Sequence, residues 1–191
     1  MGSDINIGIV YDNKQKGKIN FYLSEVIKLL INNFGTIKFL RYSKDKDGTK
    51  WIEQEQKQLD SKKTKLLTTN YYGKVELASD VFGKNLIETV VSIEQTDSYF
   101  GFLIQFNEQE LSENLTIWEV ENLIIDFVLQ NQNTLEFQYA FCDHEGEMEY
   151  THDEIKNITE EIYSLLFIPS DNTGNMKVLK SRWALDGLTN R

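Results

Sequence analysis

The chain's two histidines lie in a carboxylate-rich stretch, and this is the pattern in the sequence that most suggests chemistry. Residues 143–154 contain His144 and His152 together with Asp143, Glu145, Glu147 and Asp153. Imidazole nitrogens and carboxylate oxygens are suitable ligands for a transition metal. The pattern therefore permits one enzymatic hypothesis, a metal-dependent hydrolase that uses His144, His152 and the neighbouring carboxylates.

The spacing of these residues matches no established catalytic or metal-binding motif. The histidines do not follow the HExxH pattern, and no segment has the D-x-[DN]-x-[DN]-G order of a calcium-binding loop. The phosphate-binding patterns G-x-x-x-x-G-K-[ST] and G-x-G-x-x-G and the nucleophile motif G-x-S-x-G are missing as well. We therefore predict no catalytic residue, no metal, no cofactor and no small-molecule substrate, with the hydrolase kept as the alternative.

Charge is distributed unevenly along the chain. Residues 1–74 contain 14 Lys and Arg and 8 Asp and Glu, whereas residues 75–191 contain 6 and 22. This excess of carboxylates opposes binding to nucleic acid or to a membrane, whose phosphates attract cations. It favours a basic protein partner, although acidity can also serve solubility alone. The basic residues near Trp51 belong to no nucleic-acid-binding motif, and we interpret them as a solvated loop.

The carboxylates are densest in and after an alternating segment. Leu135, Phe137, Tyr139 and Phe141 alternate with Glu136, Gln138, Ala140 and Cys142, which predicts a half-buried strand. Residues 143–154, here called the acidic segment, follow it. Carboxylates this dense repel one another, so we expect a use beyond solubility. The predicted partner-binding surface comprises Asp143, Glu145, Glu147, Glu149, Tyr150, Asp153, Glu154 and Tyr99, because tyrosines are enriched at interface hot spots.

Hydrophobic periodicity predicts the elements that position this surface. Strands are expected at Ile5–Tyr11, Thr36–Tyr42, Lys74–Ser79, Asn85–Glu94, Ser98–Phe106, Tyr163–Ile168 and Met176–Lys180. Helices are expected at Lys18–Phe34, Ile52–Thr69 and 117–130, with a short one after Thr151. Thr116 with Glu119 and Thr151 with Glu154 have the capping-box spacing of helix starts. The first two strands are expected to pair in parallel through a right-handed crossover.

The composition fits a single α+β domain over residues 1–191. We predict a mixed, mostly antiparallel sheet of about six to eight strands with about three principal helices. One Pro in 191 residues provides no proline-rich linker. A lone cysteine, Cys142, fits a reducing cytoplasm, and neither a signal peptide nor a run of about 20 apolar residues is visible.

Five segments resemble a known family: GIVYD (8–12), DSYFGFLI (97–104), YAFCDHEGEMEY (139–150), LLFIPS (165–170) and RWALDGLTNR (182–191). They are similar to the small cytoplasmic immunity proteins of bacterial polymorphic-toxin systems. The resemblance implies an α+β protein without enzymatic activity that binds and neutralises a cognate toxin. It implies no particular toxin-contacting residues. A basic toxin that attacks nucleic acid would suit an acidic inhibitor, because complementary fields accelerate association.

Overall fold

The computed structural model describes residues 3–83, 85–158, 160–170 and 175–191. Within these residues nine strands form one sheet in the order β3-β2-β4-β5-β6-β1-β7-β8-β9, and every neighbouring pair is antiparallel. The strands are β1 (Asp4–Asp12), β2 (Thr36–Ser43), β3 (Trp51–Glu55), β4 (Tyr72–Ser79), β5 (Ile87–Gln95), β6 (Tyr99–Asn107), β7 (Tyr139–His144), β8 (Leu165–Pro169) and β9 (Met176–Lys180).

Five α-helices accompany the sheet in the described residues: α1 (Ile19–Leu30), α2 (Ser61–Thr69), α3 (Glu108–Leu111), α4 (Ile117–Leu135) and α5 (His152–Asn157). A short 3₁₀ helix, Asn13–Lys18, precedes α1. Both predicted capping boxes are formed, at Thr116 for α4 and at Thr151 for α5. In the described part of the chain, no helix is long and apolar enough to cross a membrane.

The α+β class is confirmed, but the sheet is larger and more regular than predicted. Its nine strands in the described residues exceed the expected six to eight, and none of its pairings is parallel. The additional strand is β3, because the predicted helix Ile52–Thr69 is instead β3 followed by α2. Helix α2 begins only after Asp60, whose side chain accepts a hydrogen bond from the backbone N–H of Lys63.

The predicted parallel pairing of the first two strands is wrong. Strand β1 lies between β6 and β7, and three strands separate it from β2. Because every pairing in the sheet is antiparallel, β1 and β2 still run in the same direction. Residues 5–10 of β1 are all buried, so this strand occupies the interior of the sheet with both faces covered.

The two faces of the sheet bury different hydrophobic clusters. On one face, Ile7 and Ile9 of β1 and Phe102 of β6 belong to the main core, which includes residues of α1 and α4. On the opposite face a smaller cluster contains Val10, Leu103, Tyr139, Phe141, Ile155, Tyr163 and Leu166. Residues between β7 and β8 supply part of this second cluster, and they include the acidic segment.

Strand β7 departs from the half-buried strand predicted from Leu135. Helix α4 continues to Leu135 and ends at Glu136, whose φ of 48° is left-handed. The strand begins at Tyr139 and is buried on both faces: Tyr139 and Phe141 enter the second cluster, whereas Ala140 and Cys142 enter the main core. The alternation at Leu135 and Phe137 therefore reflects a helix end and a connector that both pack into the main core.

Candidate functional site

Between β7 and α5, residues 145–151 of the acidic segment cross the second face of the sheet as an extended connector. A left-handed residue, Glu145 with φ of 51°, turns the chain as it leaves β7. Side chains then alternate: Glu145, Glu147 and Glu149 are exposed, whereas Gly146, Met148 and Tyr150 are partly buried. The predicted period-two display of carboxylates is therefore present, although most of it lies outside a regular strand.

Hydrogen bonds from the sheet side hold this connector in place. The Asn6 amide donates to the carbonyl of Gly146 at 2.9 Å, the Tyr163 hydroxyl to Glu147 at 2.9 Å, the Tyr99 hydroxyl to Met148 at 2.7 Å and the Tyr139 hydroxyl to Tyr150 at 2.5 Å. Backbone carbonyls that pair with no neighbouring strand are thus satisfied by side chains. The backbone is fixed while the carboxylates point to solvent.

Two glycines of the sheet leave room for the connector. A Cβ at Gly101 would lie 2.6 Å from the sulfur of Met148, and a Cβ at Gly8 would overlap the ring of Phe141. Phe141 in turn stacks on Tyr163 with ring centroids 3.9 Å apart and an interplanar angle of 11°. The path of the acidic segment therefore depends on close packing beneath it.

Some of the predicted site residues already make hydrogen bonds within the protein, and others do not. Asp143 is partly buried and accepts a hydrogen bond of 2.7 Å from the Ser164 hydroxyl. Glu154 accepts from the backbone and side chain of Thr151 in the capping box, and those bonds lower its pKa. Tyr99 uses its hydroxyl to hold Met148. Four of the predicted carboxylates, at 145, 147, 149 and 153, are exposed, and within the described residues none of them forms a salt bridge.

Tyr150 connects the acidic residues to an apolar surface. Its ring lies edge-on to Tyr163, with centroids 6.2 Å apart. It lines a shallow depression together with Asp153, Glu154, Asn157 and Ile158. An apolar floor with a carboxylate rim suits the aliphatic stem and charged end of a Lys or Arg side chain.

One further carboxylate, Glu94 on β5, was missed by the sequence analysis. It pairs in register with Gly101, the residue beneath Met148, so it borders the connector. Burial raises its pKa, Lys74 opposes that rise, and the negative charge of Glu147 adds to it. The only signal in the sequence was its position on the polar, alternating face of β5, two residues after Ser92.

The two histidines are not brought together. His144 is opposite Ile5 near the start of β1, and its Nε2 lies 3.8 Å from the Glu108 carboxylate. His152 borders a cleft with Tyr11 and Asp12 at the other end of β1. Five or more residues of extended strand, about 16 Å, separate the two positions. Among the described residues no group of three or more His, Cys, Asp and Glu side chains is placed to hold a metal ion. The described residues therefore offer no assembled site for the hydrolase hypothesis.

Cys142 is fully buried in the main core. Burial raises the pKa of its thiol, and the nearby charges of Asp143 and Glu121 raise it further. A buried, protonated thiol is a poor nucleophile. Its role here is packing.

Comparison with known proteins gives one match. A family model described as Immunity protein 64 matches residues 1–191, the whole chain. The chain has no significant match among curated proteins or among solved structures.

Proposed function

Because this chain belongs to the Immunity protein 64 family, we propose that it binds and neutralises a cognate toxin of a polymorphic-toxin system and has no enzymatic activity of its own. The toxin binds at the acidic segment, and its binding surface is basic. The interaction takes place in the cytoplasm, where the toxin would otherwise act. Nucleic acid, membranes and small-molecule substrates are not partners of this surface.

The observation that carries the proposal is the fixed backbone of residues 146–150 beneath outward-pointing carboxylates. Side chains from β1, β6 and β7 and that of Tyr163, two residues before β8, donate to its carbonyls. Repulsion between Glu145, Glu147 and Glu149 opposes this arrangement, yet the fold maintains it. A pre-organised set of charges binds a complementary surface without first losing conformational entropy.

Electrostatic complementarity explains why such a surface suits an inhibitor of a toxin. Opposite fields steer two proteins together and raise association rate constants to about 10⁸–10⁹ M⁻¹s⁻¹ at low salt. Fast capture reduces the time that free toxin spends in the cell. If the toxin acts on nucleic acid, the carboxylates occupy the place of phosphates and block its active site.

The test uses the cognate toxin domain, which is to be sought in the genes adjacent to that of this chain. The variant Glu147→Lys with Glu149→Lys reverses two exposed carboxylates that make no side-chain hydrogen bond in the described residues. We expect its association with the toxin to slow by at least tenfold, to depend less on salt, and to fail to protect cells that express the toxin. A matched control, Glu113→Lys with Asp126→Lys, makes the same charge change at exposed positions of the loop before α4 and of α4 itself.

The comparison of these two variants decides the placement of the interface. Circular dichroism and thermal unfolding establish that both remain folded. If the control slows association as much as the test variant does, net charge and not the acidic segment governs binding. If the test variant binds and protects like the parent, the toxin does not bind at the acidic segment.

A further inference from the structure

Strand β3 leaves one edge of the sheet open. It pairs with β2 alone, and within the described residues no segment covers its outer side. The backbone N–H of Gln56 donates to the backbone carbonyl of Lys38 on β2. Because hydrogen-bonded residues alternate along an antiparallel strand, the backbone N–H and C=O groups of Gln54 and Ile52 also face β2. The N–H and C=O groups of Glu53 and Glu55 then face outward. Such an edge is a template for another strand, and proteins usually shield it with Pro, Lys or a bulge. Strand β3, WIEQE, contains neither Pro nor Lys, and of the devices that blunt an edge it has only its short length of five residues and its two glutamates.

Two aromatic side chains, Trp51 at the start of β3 and Tyr72 at the start of β4, are exposed yet held in place. Trp51 is 41% exposed and Tyr72 is 40% exposed, and their ring centroids are 6.1 Å apart. The Trp51 indole N–H donates to the carbonyl of Gly48 at 2.8 Å, and the Tyr72 hydroxyl donates to that of Lys46 at 3.0 Å. Lys74 lies over the Trp51 ring at 5.7 Å. Exposed Trp and Tyr side chains with fixed orientations are the usual anchors of protein interfaces.

The loop that fixes these rings is itself ordered by one carboxylate. Asp45 accepts hydrogen bonds from the backbone N–H groups of Thr49 and Lys50, each at 2.8 Å, and from the Ser43 hydroxyl at 2.7 Å. These bonds hold the pKa of Asp45 well below its usual range. The solvated loop expected from the sequence is therefore exposed but pre-formed, and it supports Trp51 and Tyr72.

Charge decides which partner suits this edge. A second copy is disfavoured, because antiparallel pairing of two β3 strands in full overlap would place Glu53 opposite Glu53. The other edge of the sheet, β9, exposes Lys177 and Lys180. The residues of β3 whose backbone groups face outward are Glu53 and Glu55, so cationic side chains suit the positions directly opposite them, although Lys50 and Lys57 flank the strand and Glu53 also pairs with Arg41.

We infer that β3 is a strand-addition site for an extended segment of the toxin, which places cationic side chains beside Glu53 and Glu55 and an apolar side chain against Trp51. The identity of this partner rests on the proposed function. Four strand spacings, about 19 Å, separate β3 from β6 beneath the acidic segment. A standard interface of about 800 Å² per partner is wide enough for one toxin domain to reach both places.

The test removes one outward N–H without changing the β2–β3 pairing. Glu55→Pro deletes a donor that faces the open edge, a position where an edge strand tolerates Pro. Glu55→Thr is its control, because it removes the charge and keeps the N–H. With the cognate toxin domain, we expect Glu55→Pro to raise Kd about 30-fold and Glu55→Thr to raise it less than about fivefold. Trp51→Ala should raise Kd about 30-fold as well.

Amide hydrogen exchange on the unaltered protein provides an independent readout. In the complex, exchange at Glu53 and Glu55 should slow by at least tenfold, whereas Ile52 and Gln54 already donate to β2 and should change little. This measurement remains decisive if Glu55→Pro fails to fold.

Several results would overturn the inference and leave the proposed function separately testable. Equal affinities of Glu55→Pro and Glu55→Thr, unchanged affinity of Trp51→Ala, or unchanged exchange at Glu53 and Glu55 would each show that the toxin adds no strand here. Loss of binding by Glu147→Lys with Glu149→Lys alone would then support the proposed function without the strand addition. If the protein by itself forms oligomers that Glu55→Pro dissociates, and the toxin affinity is unaffected, the edge binds a second copy instead.

Discussion

The hydroxyl of Tyr99 donates a 2.7 Å hydrogen bond to the backbone carbonyl of Met148, and this bond ties the first residue of β6 to the acidic segment. The sequence presented Tyr99 as a direct contact for the partner. The structure gives the hydroxyl a positioning role within the protein and leaves the ring only partly exposed. The tyrosines beneath the segment therefore hold its backbone in place.

Removal of these hydroxyls should loosen the segment at a modest cost in stability. We expect Tyr99→Phe and Tyr163→Phe each to lower the free energy of unfolding by about 0.5–1.5 kcal/mol, because each leaves a partly buried carbonyl without its donor. Urea denaturation measures the change. Tyr71→Phe is the matched control, since Tyr71 is 60% exposed. A loss of similar size in the control would contradict the positioning role.

The close packing at Gly8 predicts a larger effect. Gly8→Ala should destabilise the fold by about 1–3 kcal/mol, because the added methyl group overlaps the ring of Phe141 and forces it away from Tyr163. Thermal unfolding and near-UV circular dichroism report the loss. The control Gly17→Ala has no atom within 4 Å of its added Cβ and should unfold at or above the parent's temperature. Equal behaviour of the two variants would contradict the packing argument.

A buried ion pair near residue 191 predicts a large loss of stability when one partner is removed, and a partial recovery when both are removed. The Arg191 guanidinium pairs with Glu121, whose side chain is 1% exposed, and also donates to the carbonyl of Ser181 at 2.6 Å. Arg191→Met should cost roughly 3–5 kcal/mol, because among the described residues it leaves the buried Glu121 carboxylate with the more distant Lys180, at 3.7 Å, as its remaining cationic partner. The double variant Glu121→Met with Arg191→Met should be more stable than Arg191→Met in urea denaturation. A double variant less stable than the single one would show that the pair is not the cause.

Asp80 predicts part of the loss of stability in acid. Burial raises its pKa, but hydrogen bonds from the backbone N–H groups of Phe34 and Asn33 outweigh burial and lower it below the ordinary value of 3.8. A lowered folded-state pKa means that Asp80 stabilises the protein above the unfolded-state value and loses this contribution as the pH falls below it. The difference in unfolding free energy between pH 6 and pH 3 should therefore be smaller for Asp80→Asn than for the parent.

A second carboxylate serves as the control for this pH experiment. Asp126 is exposed on α4. Asp126→Asn should retain the parent's difference between the two pH values. If Asp80→Asn retains it as well, the N–H groups near the end of α1 do not depend on ionised Asp80.

Local signals in the sequence predicted the elements well, and long-range packing accounts for what they missed. The capping boxes at Thr116 and Thr151 are local hydrogen-bond patterns, and both were placed correctly. Strand β3 was mistaken for a helix because an exposed edge strand has no buried face to impose alternation. The start of β7 was misplaced because Leu135, at the end of α4, and Phe137, in the connector after it, are apolar in order to pack into the main core and not because they belong to a strand.

In the candidate site, too, local features could be predicted from the sequence and long-range contacts could not. The exposed carboxylates at 145, 147 and 149 were visible as a spacing of two in the sequence. The donors that hold their backbone were not, because Asn6 and Tyr99 are about 140 and 50 residues away along the chain. The separation of His144 from His152 likewise depends on the pairing of β1 with β7. No local pattern encodes that register.

The position of β1 between β6 and β7 also means that β1 waits for its partner strands while the chain is being synthesised. A ribosome that has completed β1 must add about 130 further residues before β7 is complete, which takes roughly 7–26 s at about 5–20 residues per second. Until then β1 lacks one of its two neighbours, and the connector that carries the acidic residues has not been made. If the protein neutralises a toxin through that surface as proposed, a nascent chain gives no protection, and a cell that makes the toxin needs finished copies of this protein beforehand.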